Sequence, residues 1–394
     1  MILESLRTSV RTLYPQVVNW RRQIHQHPEL GFTEVRTAAL IQELLQSWGI
    51  PYEAGIAQTG VVATIQGSRP GRTLAIRADM DGLPIQEENP VPYRSQIPQR
   101  MHACGHDGHT AIALGTAKLL FEQRHLLRGR VKILFQPAEE SPGGAKPMIA
   151  AGVLEGVDAI LGLHLWNNLP LGTIGLKSGP TMANTDRFYL QVLGKGGHGA
   201  MPHQTVDAIV VGSQIISALQ TIVSRNLDPL QPAVVTVGKF QAGDAFNVIA
   251  PKAELWGTVR TFDPVSAAVI PKRLEAIVAG ICQAYGALYE LDYQRTYPAV
   301  HNHPEMTALV AKAVHLTLGE QAQIHPEMSM GGEDMAFFLQ QVPGCYFFLG
   351  SANPALGLTF PHHHPRFDFD ETALALGIEL LLRCSELYCG FTAA

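Results

Sequence analysis

Residues 72–84 (RTLAIRADMDGLP), 130–140 (RVKILFQPAEE) and 158–166 (DAILGLHLW) decide the fold. Each is a short apolar run that ends in, or carries near its end, a polar or ionisable group. Such runs read as buried strands. Between them, residues 110–123 (TAIALGTAKLLFEQ) and 143–155 (GGAKPMIAAGVLE) read as helices. Strand–helix alternation predicts an α/β domain built on a mainly parallel sheet. In such sheets ligands bind beyond the carboxyl ends of the strands. Asp79 and Asp81 follow the first run, Glu139 and Glu140 the second, and His164 lies in the third. Three strands are thus expected to deliver acidic or imidazole groups to one edge.

Working outward, residues 3–26 and 33–50 have apolar positions at helical spacing, with a Pro- and Gly-containing loop, HPELGF, between them. Residues 61–67 (VVATIQG) read as a strand. The pattern changes near residue 184. Strand-like 186–197, a long helical run 207–225, strand-like 233–243 and 252–262, helical 271–287 and strand-like 288–298 follow in order. That β-α-β-β-α-β succession predicts a ferredoxin-like α+β insert. The chain then returns to helix, a GGEDMAFF loop, a strand GCYFFLG and a His-rich loop before the last helix. The expected division is a catalytic α/β domain in two parts, 1–183 and 296–394, interrupted by an inserted lid and dimerisation domain, 184–295. No internal repeat or low-complexity linker is evident.

A chain of 394 residues is expected to hold two to four domains at about 100–200 residues each. Hydrophobic residues make up 46% and charged residues 16%, below the roughly 25% charged that is usual. That composition favours a large core and excludes intrinsic disorder. Lys and Arg number 29 against 34 Asp and Glu, a net charge of −5. No overall basic field exists to hold a phosphate backbone, so nucleic acid is not an expected partner. Cys104, Cys282, Cys345, Cys384 and Cys389 are odd in number and scattered, which suits a reducing compartment. The first residues lack a charged-then-apolar leader pattern. The longest apolar stretch, 208–223, is broken by Gly, Ser and Gln and is shorter than the roughly 20 residues a bilayer requires. A cytoplasmic protein without a membrane partner is expected.

The 16 histidines point to a metal. Residues 101–110 (MHACGHDGHT) crowd His102, Cys104, His106, Asp107 and His109 together. In an extended segment Cys104 and His106 would share one side. Thiolate and imidazole are good ligands for zinc and similar ions. The spacing is not that of a zinc finger, so further ligands must come from elsewhere. QPAEE offers adjacent carboxylates, one to bind metal and one to act as base; a solvated acidic turn is the plain alternative. His164 sits among apolar residues, where a lone histidine is more often a satisfied core group. Of His362, His363 and His364, at most one or two would ligate and the rest would be structural or supporting. His198 lies in the glycine-rich GKGGHGAMPH, which permits close backbone approach or a simple turn. GxSxG is absent, and Cys104 with a nearby His could form a cysteine-nucleophile pair.

The motifs RRQIHQHPELGFTE, IRADMDGLPIQEEN, MHACGHDGHTAIALG, LFQPAEESPGGA, GLHLWNNLPLGTI, GKGGHGAMPH, FNVIAPKAELWGTVRTF, GGEDMAFF and HHHPRFDFDE occur in this order. Together they resemble the amidohydrolase branch of the aminoacylase/carboxypeptidase metallohydrolase family over essentially the whole chain. That branch includes hippurate hydrolases, N-acyl-amino-acid amidohydrolases and indole-acetyl-amino-acid hydrolases. The resemblance implies a catalytic domain of the di-metal aminopeptidase-like type with an inserted lid. It implies two divalent ions per subunit (zinc, manganese, cobalt or nickel), held by Cys104, His106, Glu140, His164 and His363. Other branches carry a bridging aspartate where Cys104 falls and a histidine where Asp79 falls, so this chain resembles a cysteine-bridged variant. One ion would sit on Cys104, His106 and His164 and the other on Cys104, Glu140 and His363. The resemblance further implies Glu139 as base, Asp81 as the residue orienting a ligand, and His198 as a lid donor to the oxyanion. It implies Asn247 and Arg260 as holders of the substrate carboxylate, with a structural Arg as the alternative for Arg260.

The function expected is hydrolysis of N-acyl amino acids, hippurate-like, N-acetyl or arylacetyl, by a homodimer or higher homo-oligomer joined through the lid. The alternatives are a deacylase of an amino-acid biosynthesis intermediate such as N-acetyl-diaminopimelate, a dipeptidase, a cysteine-nucleophile hydrolase, or a silent metal-binding or oligomerisation protein.

Overall fold

A computed structural model describes residues 2–391 and divides the chain into two compact units. The first comprises the chain up to Gly179, His301–Met328 and Asp334 onward; the second comprises Pro180–Val300 and Ser329–Glu333. These boundaries differ from 184–295 at both ends. Ser329–Glu333 joins the second unit because Ser329 N–H donates to Thr181 O and Ser329 O accepts from Ala183 N–H.

The first unit opens with helices α1 (Ile2–His25) and α2 (Val35–Trp48). Strands β1 (Tyr52–Ile56), β2 (Gly60–Gln66) and β3 (Arg69–Asp79) follow. Helix α3 (His106–Glu122) precedes β4 (Arg128–Gln136) and β5 (Ala159–Pro170). The eight-stranded sheet runs β1-β2-β4-β3-β5, then Gly344–Ala352, Ile174–Gly175 and Ile324–His325. Its centre, β4-β3-β5 and Gly344–Ala352, is parallel. β1 and β2 add antiparallel pairs at one side, and Ile174–Gly175 pairs antiparallel with Gly344–Ala352.

Central strands covered on both faces need continuous apolar side chains. Every residue of Gly344–Ala352 is accordingly buried. On one side, α1, α3 and the helix Thr372–Cys389 share a core with the sheet through Val17, Ile112, Leu114, Ile378 and Leu381. Helix α3 starts at His106, ahead of the expected Thr110. Gly105 takes φ +95°, a turn that glycine permits, and Asp107 lies in the first helical turn, where an anion suits the helix dipole. Cys104 and His106 therefore share a turn into a helix rather than the extended segment expected.

The second unit carries a four-stranded antiparallel sheet in the order Ala233–Ala242, Lys252–Thr261, Thr185–Leu193, Leu288–Tyr297. Helices Ala208–Thr221 and Pro264–Tyr285 complete a β-α-β-β-α-β order, the split βαβ arrangement. Asp207 and Asp263 cap the two helices by accepting from backbone N–H groups. Val211, Ile215 and Leu219 pack with Phe188, Leu190 and Leu255 in one core. The helix from Ala208 thus packs one face into this core, although by length and composition Ala208–Asn226 could also cross a membrane.

A buried ionic cluster locks the first unit behind α3. Arg21 donates Nε to Asp107 Oδ2 at 2.7 Å, Nη2 to Asp368 at 2.8 Å and Nη1 to Glu371 at 3.2 Å. His25 bonds Asp107 at 2.8 Å and Glu87 at 3.2 Å. Desolvation and Arg21 act against the imidazolium, but Asp107 and Glu87 hold the His25 pKa up to about 9. Truncating one partner of a buried ion pair leaves an uncompensated charge, typically costing about 3–5 kcal/mol. Arg21→Ala should lower the denaturation free energy by about that amount, measured by urea unfolding. His25 has a folded pKa above its unfolded value of about 6.5. Its contribution is therefore complete below about pH 6.5 and is lost as pH rises toward about 9. The wild-type protein should lose stability over that range relative to His25→Gln; parallel pH curves would contradict this.

Candidate metal centre

Segments at the carboxyl ends of β3 and β4, His164 within β5, the start of α3 and the 360–364 loop bring ionisable side chains together. Asp79, Asp81, His106, Glu139 and His164 are all buried.

Hydrogen bonds fix the free nitrogen of two histidines. His106 Nδ1 lies 2.9 Å from Asp81 O and 3.3 Å from Asp81 Oδ1. Both are acceptors, so Nδ1 keeps its proton in the neutral ring, the form that binds a metal, and Nε2 then carries the lone pair. That buried Nε2 has no hydrogen-bond partner. His164 Nδ1 donates to Leu165 O at 2.6 Å, leaving Nε2 as acceptor 3.6 Å from Cys104 Sγ. This outer bonding is how metal-binding histidines are oriented. His363 Nε2 lies 3.0 Å from Glu140 Oε1. Ligand atoms of Cys104, His106 and Glu140 fall within 4.8 Å of one another, as do those of Cys104, His164 and His362. Cys104 Sγ is common to both groups.

Asp81 ties these parts together. Its Oδ1 accepts from Glu139 N–H and its Oδ2 from Glu140 N–H, each at 3.0 Å. Glu139 Oε2 lies 4.0 Å from His106 Nε2. Asp79, Asp81, Glu139, Glu140 and Cys104 concentrate negative character in a desolvated volume. Burial, then Glu140, Glu139 and Asp79, push the Cys104 thiol well up. Desolvation opposes protonation of His106, yet Asp79, Asp81 and Glu140 raise its pKa to about 10. Such a site favours cations, and a bound divalent ion would reverse the shift on the thiol. His106 Nε2, buried without a hydrogen bond, and this donor set fit divalent metal ions. A thiol pushed up by carboxylates is the opposite of an activated cysteine nucleophile.

His362 and His363 occupy different places. His363 adopts φ +65° and donates its N–H to Ala103 O at 2.8 Å. A non-glycine residue in this region is strained, as functional residues sometimes are. His362 accepts from Asn167 N–H at 3.2 Å and stacks on Trp166. Burial, with neighbouring His363 and His109, lowers its pKa to about 3.

Residues not singled out from the sequence surround the centre. His109 donates Nδ1–H to Asp79 at 2.6 Å and accepts from Leu165 N–H at Nε2, 2.9 Å. Arg77 donates to Asp79 at 2.6 Å and to Asp334 at 3.0 Å. Although burial alone would raise it, His106, Arg77 and His109 hold the Asp79 carboxyl well below the usual range. His106 and His109, three apart on a helix, share a face, and that spacing was the available signal.

His198, Asn247 and Arg260 belong to the second unit. His198 pairs with Val248, and Gly199 N–H donates to Asn247 O at 2.8 Å, so His198 and Asn247 are neighbours. His198 Nδ1 accepts from Ala200 N–H at 3.0 Å. Its neutral form therefore carries the proton on Nε2, a donor. Arg260 is bound to its own strand through Thr258 Oγ1 and Val259 O.

With this geometry established, comparison with known proteins identifies the class. Residues 75–386 match the model of peptidase family M20/M25/M40, and the chain belongs to that family. An N-acyl-L-amino acid amidohydrolase of Geobacillus stearothermophilus is 50% identical over 77% of this chain and 83% of its own. An N-acetyldiaminopimelate deacetylase of Anoxybacillus flavithermus is 42% identical over 93% of this chain and 96% of its own. The solved Bacillus subtilis YXEP protein, described as a dinuclear metal binding peptidase, is 38% identical with a TM-score of 0.85, covering 97% of this chain and 100% of its own. The chain is a hydrolase of the amidohydrolase and deacylase type.

If Asp81 orients His106 toward a metal, Asp81→Ala should weaken metal affinity by about 10–100-fold. Competition with a chromophoric chelator measures this; unchanged affinity would contradict the assignment.

Proposed function

We propose that the chain hydrolyses the amide bond of N-acyl amino acids, releasing a carboxylic acid and a free amino acid. The observation that carries this reading is the Glu139–Glu140 pair held by Asp81, with Glu140 close to His363 and Glu139 beside His106. In this reading Glu140 would ligate metal and Glu139 would carry out proton transfer. Acyl groups of the benzoyl, acetyl or arylacetyl kind fit the reading. The N-acetyldiaminopimelate deacetylase relative favours deacylation of a biosynthetic intermediate as the second reading.

In this proposal Cys104, His106 and His164 would hold one divalent ion and Cys104, Glu140 and His363 a second, although the ligand atoms within 4.8 Å of one another group as Cys104, His106 and Glu140 and as Cys104, His164 and His362. Zinc, manganese, cobalt and nickel all suit such a donor set. When bound, they would polarise the amide carbonyl and lower the pKa of a water toward about 7. Glu139 then takes the proton from the water at its carboxylate and delivers it to the leaving nitrogen. Asp81 keeps His106 and both glutamates in register. His198 donates Nε2–H to the developing oxyanion, supported by its Nδ1 bond to Ala200. Asn247 and Arg260 hold the substrate carboxylate, for which a guanidinium is well shaped.

The second unit acts as a lid and dimer contact in this reading. Exposed Ile209, Val210 and Phe240, on its helix Ala208–Thr221 and its edge strand Ala233–Ala242, support a second copy as the occupant. The expected location is the cytoplasm.

Glu139→Gln should lower turnover by about 10²–10⁴-fold with metal content retained, while Glu140→Gln should lose metal. Mass spectrometry and kinetics on benzoyl-, acetyl- and arylacetyl-amino acids test this; equal metal loss in both variants would defeat it. His198→Ala should lower turnover by roughly 10²–10³-fold without metal loss. Mixing it with Glu139→Gln should regenerate activity if His198 acts across a dimer. Absence of recovery after proven subunit exchange would assign His198 to its own subunit or to a structural role.

A further inference from the structure

The loop that carries Glu139 is held in an uncommon conformation. Ala138 has φ +55°, the left-handed region that an L-residue adopts only at a cost. The next two N–H groups, of Glu139 and Glu140, both turn to Asp81. Ala138 O accepts from Gly143 N–H at 3.0 Å, which closes the loop on itself. The partner of Ala138 N–H is remote in sequence. This N–H donates to Glu34 Oε1 at 2.8 Å.

Glu34 is completely buried at the start of α2. Its other oxygen accepts from Thr59 Oγ1 at 2.6 Å, so the carboxylate is fixed from the turn between β1 and β2. The Glu34 loop also lies directly against the Glu139 loop. A Cβ on Gly31 would stand 2.2 Å from Ser141 O and 2.9 Å from Ala138 Cβ. Only glycine permits that approach. A buried carboxylate anchored on one side and accepting an amide on the other is a rigid strut.

We propose that Glu34 is a positioning residue for the reaction. It holds Ala138 in the left-handed conformation and thereby sets where Glu139 stands. This rests on the reading of Glu139 as the base, and the experiment separates the two. The metal-loaded enzyme is prepared as Glu34→Ala, Glu34→Gln, Ala138→Gly and the double variant Glu34→Ala/Ala138→Gly. Turnover, KM, metal content and amide exchange across residues 137–144 are measured.

Glu34→Ala should lower turnover by about tenfold or more, since small misplacements of catalytic groups are costly, with KM and metal content little changed. Amide exchange at Ala138 and Glu139 should accelerate. Glu34→Gln should restore most of the turnover. Its amide oxygen accepts from Ala138, and its NH₂ donates to Thr59, whose hydroxyl can accept. Glycine takes positive φ without steric cost, so adding Ala138→Gly to Glu34→Ala should recover turnover. Simple loss of packing would not respond to that second change. If Glu34→Ala fails to fold, Thr59→Val carries the same test. It should give a smaller loss than Glu34→Ala, because it removes one hydrogen bond to the carboxylate and leaves the one from Ala138 in place, and the loss should again be recovered by Ala138→Gly.

Wild-type turnover and exchange in Glu34→Ala would overturn the proposal, as would a loss that neither glutamine nor glycine recovers. Faster exchange with unchanged turnover would also overturn the role in the reaction. In that case Glu139→Gln separates the causes: an inactive variant places the failure in Glu34, and an active one in the reading of Glu139.

Discussion

The carboxylate of Asp81 is the interaction on which the centre depends. It accepts the amides of both Glu139 and Glu140 and lies beside the proton of His106 Nδ1. One side chain at the end of β3 thus joins the segment after β4 to the start of α3. A displacement of Asp81 would turn His106 Nε2 away from Cys104 and Glu140 and separate the two glutamates from the cluster. Burying so many acidic groups in one place is unfavourable unless donors or cations compensate. Backbone amides, Arg77 and His109 supply part of that compensation. The remaining negative character, with Cys104 at its middle, is what suits the site to divalent cations.

The rigidity around this point comes from distance in sequence. Arg21 reaches Asp107 and Asp368; Arg77 reaches Asp334; Glu34 reaches Ala138. Each contact joins elements that the chain visits far apart. Each is also buried, where hydrogen bonds are stronger and an unmet partner is more costly. The left-handed residues Ala138 and His363 sit within this framework. Surrounding bonds hold their conformations: Ala138 precedes the proposed base Glu139, and His363 is itself a proposed ligand.

Much of the architecture was legible because it follows from local pattern. Apolar runs ending in Asp79, Asp81 and Glu139 gave strands with chemistry at their carboxyl ends, and the alternation with helices gave the parallel centre. The β-α-β-β-α-β order of the second unit could be read from periodicity alone. The start of α3 could not, because Gly and His in HDGHT hide a helix that begins on the ligand motif itself. Arg77 has no signature until its partner is known, and the place of His109 beside His106 depends on a helix that begins at His106 itself. Glu34 ends the motif RRQIHQHPELGFTE, yet its acceptor role depends on a backbone group more than a hundred residues later. The His-rich loop was ambiguous for a further reason. Adjacent side chains point in different directions, and only the backbone turn at His363 separates its place from that of His362.

Cys104 Sγ belongs to both ligand groups, and in the proposed reaction it would serve two ions at once. Titration of metal-free protein with cadmium, followed by the ultraviolet thiolate-to-metal absorption, tests it directly. The band should grow until two equivalents are bound, because each ion adds a bond to the same sulfur, and should vanish in Cys104→Ser. A band that saturates at one equivalent while a second ion binds silently, or one that persists in Cys104→Ser, would contradict it.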